Sequence, residues 1–163
     1  MIEKNKSLLV LGVGNFLCRD DGIGSILAEK LIPVYDDHPE IEVINGGTIG
    51  IGLLYLLENY QSILFVDAID IGATPGEVFR YTLEDLAMSG DTNKLSAHQS
   101  NPPELISYAQ VLGCLPDNVE LLGIQVDTIC PQIGLSDVLT RKLDTIEMKV
   151  RGEIMEYLER CTN

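Results

Sequence analysis

The chain has 163 residues, of which 45% are hydrophobic and 22% are charged, a composition ordinary for a globular protein that fits one domain over residues 1–163. Its 25 acidic residues outnumber the 11 basic ones, which gives a net charge of −14. A field of this sign repels nucleic acid and anionic membrane surfaces, so we expect neither as a partner.

The N-terminus carries no pattern of a signal peptide, and the longest apolar runs are too short to span a bilayer, so we expect a cytoplasmic protein. The four cysteines form no C-x-x-C pair, which excludes zinc-ribbon and thioredoxin-like sites. We expect reduced thiols, with Cys114 and Cys130 in the core. Cys18 is a minor functional candidate because acidic residues follow it.

Strand and helix patterns alternate along the chain. Residues 77–82 follow a short connection, which makes an antiparallel pairing with the third strand plausible. The alternation predicts a three-layer α/β/α sandwich whose five-stranded sheet is mostly parallel but mixed. The predicted strands cover residues 7–13, 41–44, 62–69, 77–82 and 119–126, and the predicted helices cover 21–31 and 50–59 and begin near 101 and 136.

Polar residues gather where the predicted strands end. Ligands of such sheets bind outside the carboxyl ends of the strands. Asp21, the turn of residues 45–48, Asp67 and His98 all lie in segments that can reach this edge. The sequence therefore predicts a functional site there.

A nucleotide site is the first alternative, because an apolar run leads into Gly12-Val13-Gly14. The dinucleotide fingerprint needs a third glycine where Leu17 stands and an acid near Asn45. Two carboxylates, Asp20 and Asp21, also begin the first helix, where a phosphate would have to bind. These departures argue against a nucleotide.

A metal site is the second alternative. Asp21, Asp67 and His98 could offer two carboxylate oxygens and one imidazole to zinc, nickel, iron or manganese. Each residue also has a structural explanation: one aspartate can cap the helix, Asp67 can bind loop amides, and His98 can be a surface residue. The sequence contains no G-x-S-x-G or H-E-x-x-H motif, and the acids beside Cys18 would blunt a Cys18–His98 nucleophile.

Several separated motifs in order resemble those of the hydrogenase maturation endopeptidases. They are V-L-G-V-G-N-F-L-C-R-D-D-G-I-G, I-N-G-G-T-I-G, F-V-D-A-I, S-A-H-Q and L-L-G-I-Q-V with P-Q-I-G-L-S. The resemblance covers residues 7–160. It implies a phosphorylase/hydrolase-like α/β/α fold and an enzyme that removes the C-terminal extension of the nickel–iron hydrogenase large-subunit precursor.

The resemblance also implies site residues and partners. Asp21, Asp67 and His98 match the residues through which the family is thought to recognise the nickel that the substrate carries, so they are the expected catalytic and metal-binding residues. Zinc or cadmium could replace nickel. Gly46, Gly47 and Thr48 match a turn that could contact substrate, but Asn45 stands where members commonly have Asp. We expect a monomer, and a non-catalytic nickel-sensing or metallochaperone module is the alternative function.

Overall fold

The computed structural model describes residues 6–88 and 102–163. Within them, no helix combines the length and apolar character that crossing a membrane requires. The strands are β1 (Lys6–Val13), β2 (Ile41–Gly47), β3 (Tyr60–Ile69), β4 (Val78–Thr82) and β5 (Asn118–Gln125). The helices are α1 (Ile23–Tyr35), α2 (Leu54–Leu57), α3 (Leu83–Met88), α4 (Pro102–Leu112) and α5 (Asp137–Thr162).

The five strands form one mixed sheet in the order β2-β1-β3-β5-β4, as predicted. Four strands run parallel, and β4 runs antiparallel at one edge. The expected pairing of β4 with β3 is wrong, because β4 pairs with β5. Both edges of β3 are already hydrogen-bonded, to β1 and to β5, so the short strand has a place only at the outer edge of β5.

Alternating side chains of the strands build a separate apolar layer on each face of the sheet. Leu8 and Val10 of β1 pack on the face covered by α1 and α5. Leu9 and Leu11 pack on the opposite face, which α2, α3 and α4 cover. The two-residue period of a strand thus fills both layers at once, which produces the predicted three-layer arrangement.

The predicted helices differ from the observed ones mainly at their beginnings. A 3-10 turn, Arg19–Gly22, precedes α1, and α1 runs on to Tyr35. The helix expected over 50–59 is instead a 3-10 turn, Gly50–Leu53, followed by the single-turn α2, and Gly50 has a positive φ of 61°. The predicted beginning of α5 is confirmed, since the Ser136 side chain accepts a hydrogen bond from the Leu139 backbone N–H.

Glycines let the beginning of α1 lie directly against the carboxyl ends of β1 and β3. A Cβ on Gly24 would lie 2.2 Å from the carbonyl oxygen of Val13 and 2.3 Å from that of Val66. A Cβ on Gly12 would lie 2.3 Å from the carbonyl oxygen of Gly24. The space that these glycines leave is filled by the chain itself, so they serve the close packing of strand and helix.

We expect Gly24→Ala to lower the free energy of unfolding by roughly 2 kcal/mol or more, because its Cβ would overlap two backbone carbonyls. Gly152→Ala is the matched control, because no atom lies within 4 Å of the added Cβ in α5. The control should raise the unfolding free energy by roughly 0.5–1 kcal/mol, since alanine is the better helix former. Urea unfolding followed by circular dichroism measures both, and equal effects would contradict the packing argument.

Candidate active site

Two buried carboxylates lie at the carboxyl edge of the sheet. Asp21 lies in the 3-10 turn before α1, which packs against β3, and its side chain is 2% exposed. Asp67 lies near the end of β3, opposite Gly123 of β5, and is fully buried. The structure thus brings the two predicted acidic residues to neighbouring segments of the same edge.

Each of the two carboxylates accepts a backbone hydrogen bond that fixes its position. The Asn15 N–H donates to Oδ2 of Asp21 at 3.1 Å, and the Ala68 N–H donates to Oδ1 of Asp67 at 2.8 Å. A carboxylate has about four acceptor positions, so a carboxylate that a backbone N–H orients can also bind a ligand. Both side chains are therefore suitable oxygen donors for a cation.

The turn after β2 lies beside the same edge. The Gly14 N–H donates to the Gly47 carbonyl at 3.0 Å, which joins the end of β1 to this turn. The Asn45 side chain accepts from the Gly47 N–H at 3.0 Å and donates to Glu29 Oε1 at 2.8 Å. The neutral side chain of Asn45 therefore binds the turn amide, and it also pairs with a carboxylate of α1.

The three predicted turn residues differ in their surroundings. Gly46 packs closely on the core, where a Cβ would lie 2.9 Å from the Leu53 side chain. Gly47 has a positive φ of 50°, which favours glycine. Thr48 is exposed beside it. These residues lie where a substrate could approach the edge, and their role in binding stays a prediction.

Asp20 serves the fold, because its fully buried carboxylate binds three backbone N–H groups of a distant loop. Oδ2 accepts from Asp127 at 2.9 Å and Thr128 at 3.0 Å, and Oδ1 accepts from Ser136 at 2.7 Å. The sequence offered helix capping as the explanation for one of the two adjacent aspartates. In the structure α1 has no side-chain cap, and Asp20 instead binds the segment that leads into α5.

Backbone contacts continue this attachment between the loop after β1 and residues 127–136. The Arg19 N–H donates to the Gln132 carbonyl at 2.8 Å, and its guanidinium donates to the Leu135 carbonyl at 3.1 Å. Arg19 adopts a positive φ of 54°, which is strained for a residue with a side chain. Sequence reasoning missed this role for residues 127–136, although the P-Q-I-G-L-S segment was a signal for it.

His98 lies outside the described residues, so its predicted place in the site stays a prediction. In the part of the chain that the structure describes, no group of three or more His, Cys, Asp and Glu side chains could hold a metal. Asp21 and Asp67 are hard oxygen donors, and they fit a divalent cation that brings further ligands of its own. The described residues alone would therefore not complete a metal site.

The cysteines lie outside the catalytic arrangement proposed from the sequence. All four thiols are free and half-buried. Cys114 packs against one core layer as predicted, but Cys161 rather than Cys130 packs against the other. Cys18 accepts a weak hydrogen bond from the Asn15 side-chain amide at 3.5 Å. This contact ties the thiol to the loop that carries Asp21.

We expect Asp20→Ala to lower the free energy of unfolding by about 3 kcal/mol or more, because three backbone N–H groups lose a charged acceptor. Asp21→Ala should cost less, because Asp20 is the carboxylate that joins two segments more than 100 residues apart in the chain. Thermal or urea unfolding of the two variants separates a structural from a functional aspartate. Equal destabilisation of the two would contradict this division.

We expect Asn45→Asp to lower the free energy of unfolding by no more than about 1 kcal/mol, because it places a second carboxylate beside Glu29 at the surface. The loss should vanish in the double variant Asn45→Asp/Glu29→Gln. A double-mutant cycle by urea unfolding measures this coupling. A loss that persists in the double variant would show that the turn itself, rather than Glu29, needs a neutral side chain.

Comparison with known proteins identifies relatives of this chain. Residues 26–153 match the family described as hydrogenase maturation protease. The hydrogenase expression/formation protein HupD of Rhodobacter capsulatus is 33% identical over 122 residues, which are 75% of this chain and 58% of HupD. The Hydrogenase 2 maturation protease of Escherichia coli is 28% identical over 149 residues, 91% of each protein.

The fold agrees with these matches. The hydrogenase maturating endopeptidase HybD from E. coli superimposes with a TM-score of 0.74 and 29% identity, over 92% of this chain and 93% of that one. The chain spans less than two thirds of the length of HupD but nearly all of the E. coli sequence and of the E. coli structure. The matching residues include Asp67 and the turn after β2. This chain belongs to the hydrogenase maturation protease family.

Proposed function

We propose that this protein is an endopeptidase that removes the C-terminal extension from the nickel-loaded large-subunit precursor of a nickel–iron hydrogenase. The observation that carries the proposal is the pair of buried carboxylates, Asp21 and Asp67, at the carboxyl edge of a chain that belongs to the maturation proteases. The relatives named as proteases disfavour the alternative of a non-catalytic nickel-sensing module.

The two carboxylates are prepared for a positively charged ligand. Both are removed from water, and a backbone N–H orients each of them. Two like charges that approach one another at low dielectric repel, and a cation between them relieves this repulsion. Binding energy at this edge therefore depends on a cation that arrives with the substrate.

The nickel of the precursor would supply that charge. In the proposed complex, Asp21 and Asp67, with His98 as the third ligand, bind this nickel and so dock the attached polypeptide. A divalent metal beside a peptide bond can polarise its carbonyl group or activate water. A precursor without nickel brings no cation to the two carboxylates, so cleavage would wait for metal insertion.

The backbone near the two carboxylates favours close approach of a peptide. Gly47 puts no side chain between the turn after β2 and an incoming chain, because only the Asn45 side chain lies near the position of its missing Cβ. A bound chain close to this turn would lie beside the loop that holds Asp21, because Gly14 bonds to Gly47. Thr48 is the exposed hydroxyl of this segment.

Cleavage is tested with a nickel-loaded large-subunit precursor and intact-mass spectrometry. We expect the precursor to lose its C-terminal extension when this protein is added, and to stay intact when it carries no nickel. Asp21→Asn, Asp67→Asn and His98→Ala should each reduce the cleavage rate by about 100-fold or more, since each removes a ligand of the substrate metal.

The unfolding temperature distinguishes the loss of a metal ligand from the loss of the fold. Asp21→Asn should keep the unfolding temperature close to that of the wild type, while its cleavage rate falls. A precursor that binds but keeps its mass would favour the non-catalytic alternative. A nickel-loaded precursor that neither binds nor loses mass would refute the proposed function.

A further inference from the structure

We propose that exposed apolar side chains around the site form a docking surface for an apolar polypeptide segment of the precursor, an inference that rests on the proposed function. The surface, here named the apolar rim, is formed by Phe16, Leu17, Ile49, Ile51 and Ile133. These side chains are between 50% and 70% exposed. They come from the loops after β1, β2 and β5, at the edge that carries Asp21 and Asp67.

The loops that carry the rim are attached to the site and to one another. Phe16 accepts a hydrogen bond from the Gly134 N–H at 3.3 Å, which places it beside Ile133. A Cβ on Gly22 would lie 2.5 Å from Cα of Phe16, so the residue next to Asp21 lies against the rim. The rim is therefore continuous with the proposed active site.

These backbone contacts also hold the side chains outward. The Leu17 N–H donates to the Asn15 side chain at 3.0 Å, and the Ile49 N–H donates to the Gly46 carbonyl at 3.1 Å. Burying the rim side chains in the core would require breaking such bonds and filling an already packed interior. Their exposure is thus built into the loops, and exposed apolar side chains gathered at one edge mark an interaction site.

The rim carries no charge on a strongly acidic protein. No charged residue occurs in residues 14–18, 46–57 or 128–136, whereas the whole chain has a net charge of −14. An apolar polypeptide desolvates against such a surface at little cost, while the surrounding negative field repels nucleic acid and anionic lipid. The charge pattern therefore favours an uncharged polypeptide, and the nearby carboxylates would bind the cation that accompanies it.

The test compares two double variants, each of which replaces two exposed apolar side chains with serine. Ile51→Ser/Ile133→Ser changes rim residues that are 58% and 70% exposed, and Val111→Ser/Met148→Ser changes residues on α4 and α5 that are 85% and 72% exposed. We expect the rim variant to raise the Kd for the nickel-loaded precursor by roughly tenfold or more, since each substitution removes apolar area that the bound precursor would bury. The control variant should bind within twofold of the wild type.

Kinetics separate docking from chemistry. The rim variant should raise KM for the precursor and leave kcat within twofold, because the substituted side chains add binding without touching the reacting groups. Ile133→Leu should retain wild-type KM, and circular dichroism melting should show both double variants folded. An unchanged Kd in the rim variant, or an equal loss in the control variant, would overturn the inference.

The two proposals fail separately. Cleavage by the wild type with an unchanged KM in the rim variant overturns the docking surface and leaves the proposed function standing. Binding without cleavage, with the rim variant still weakened, overturns the proposed function and leaves the surface standing. Binding of neutral phosphatidylcholine vesicles or self-association in sedimentation, if lost in the rim variant, would replace the polypeptide with a membrane or a second copy.

Discussion

The carboxyl edge of the sheet depends on the buried carboxylate of Asp20. Burying a charge costs free energy unless hydrogen bonds replace its hydration. The Asp20 carboxylate accepts hydrogen bonds from three backbone N–H groups of residues 127–136. This interaction joins the loop after β1 to the segment before α5. Asp21, the next residue, is held beside the sheet as a consequence.

Two adjacent aspartates therefore have different functions. The Asp20 carboxylate accepts hydrogen bonds from the protein's own backbone, and the Arg19 guanidinium beside it donates to a backbone carbonyl. Asp21 accepts the Asn15 N–H and lies next to the edge at which β1 and β3 end. In the proposed function, the fixed position of Asp20 would lower the ordering cost when Asp21 binds a ligand.

Charge is distributed unevenly at this edge. Buried carboxylates lie inside it, and the segments that carry the apolar rim, residues 14–18, 46–57 and 128–136, contain no charged residue. The proposed substrate joins both features, since its polypeptide would contact the rim and its nickel would meet the carboxylates. The carboxylates would make cleavage depend on a nickel-loaded precursor, and the rim would add affinity for its polypeptide.

Local patterns were sufficient for much of the fold. The apolar runs of β1 and β3, the Ser136 cap and the stripe of α5 predicted their elements, because each depends on short-range periodicity or capping. Chain order along the sheet then brought Asp21 and Asp67 to one edge, since parallel strands end together. The position of His98 lies outside the described residues and rests on the sequence alone.

Long-range contacts decided what the sequence left open. The sequence could not tell which of Asp20 and Asp21 is structural, because the N–H groups that bind Asp20 lie more than 100 residues away in the chain. Nor could it place β4, whose partner depends on which strand edges the others have used. The sequence by itself determined the family motifs, the two acids and the layered α/β/α arrangement. Only the tertiary structure decided which acid the fold uses, because that depends on the segment packed against it.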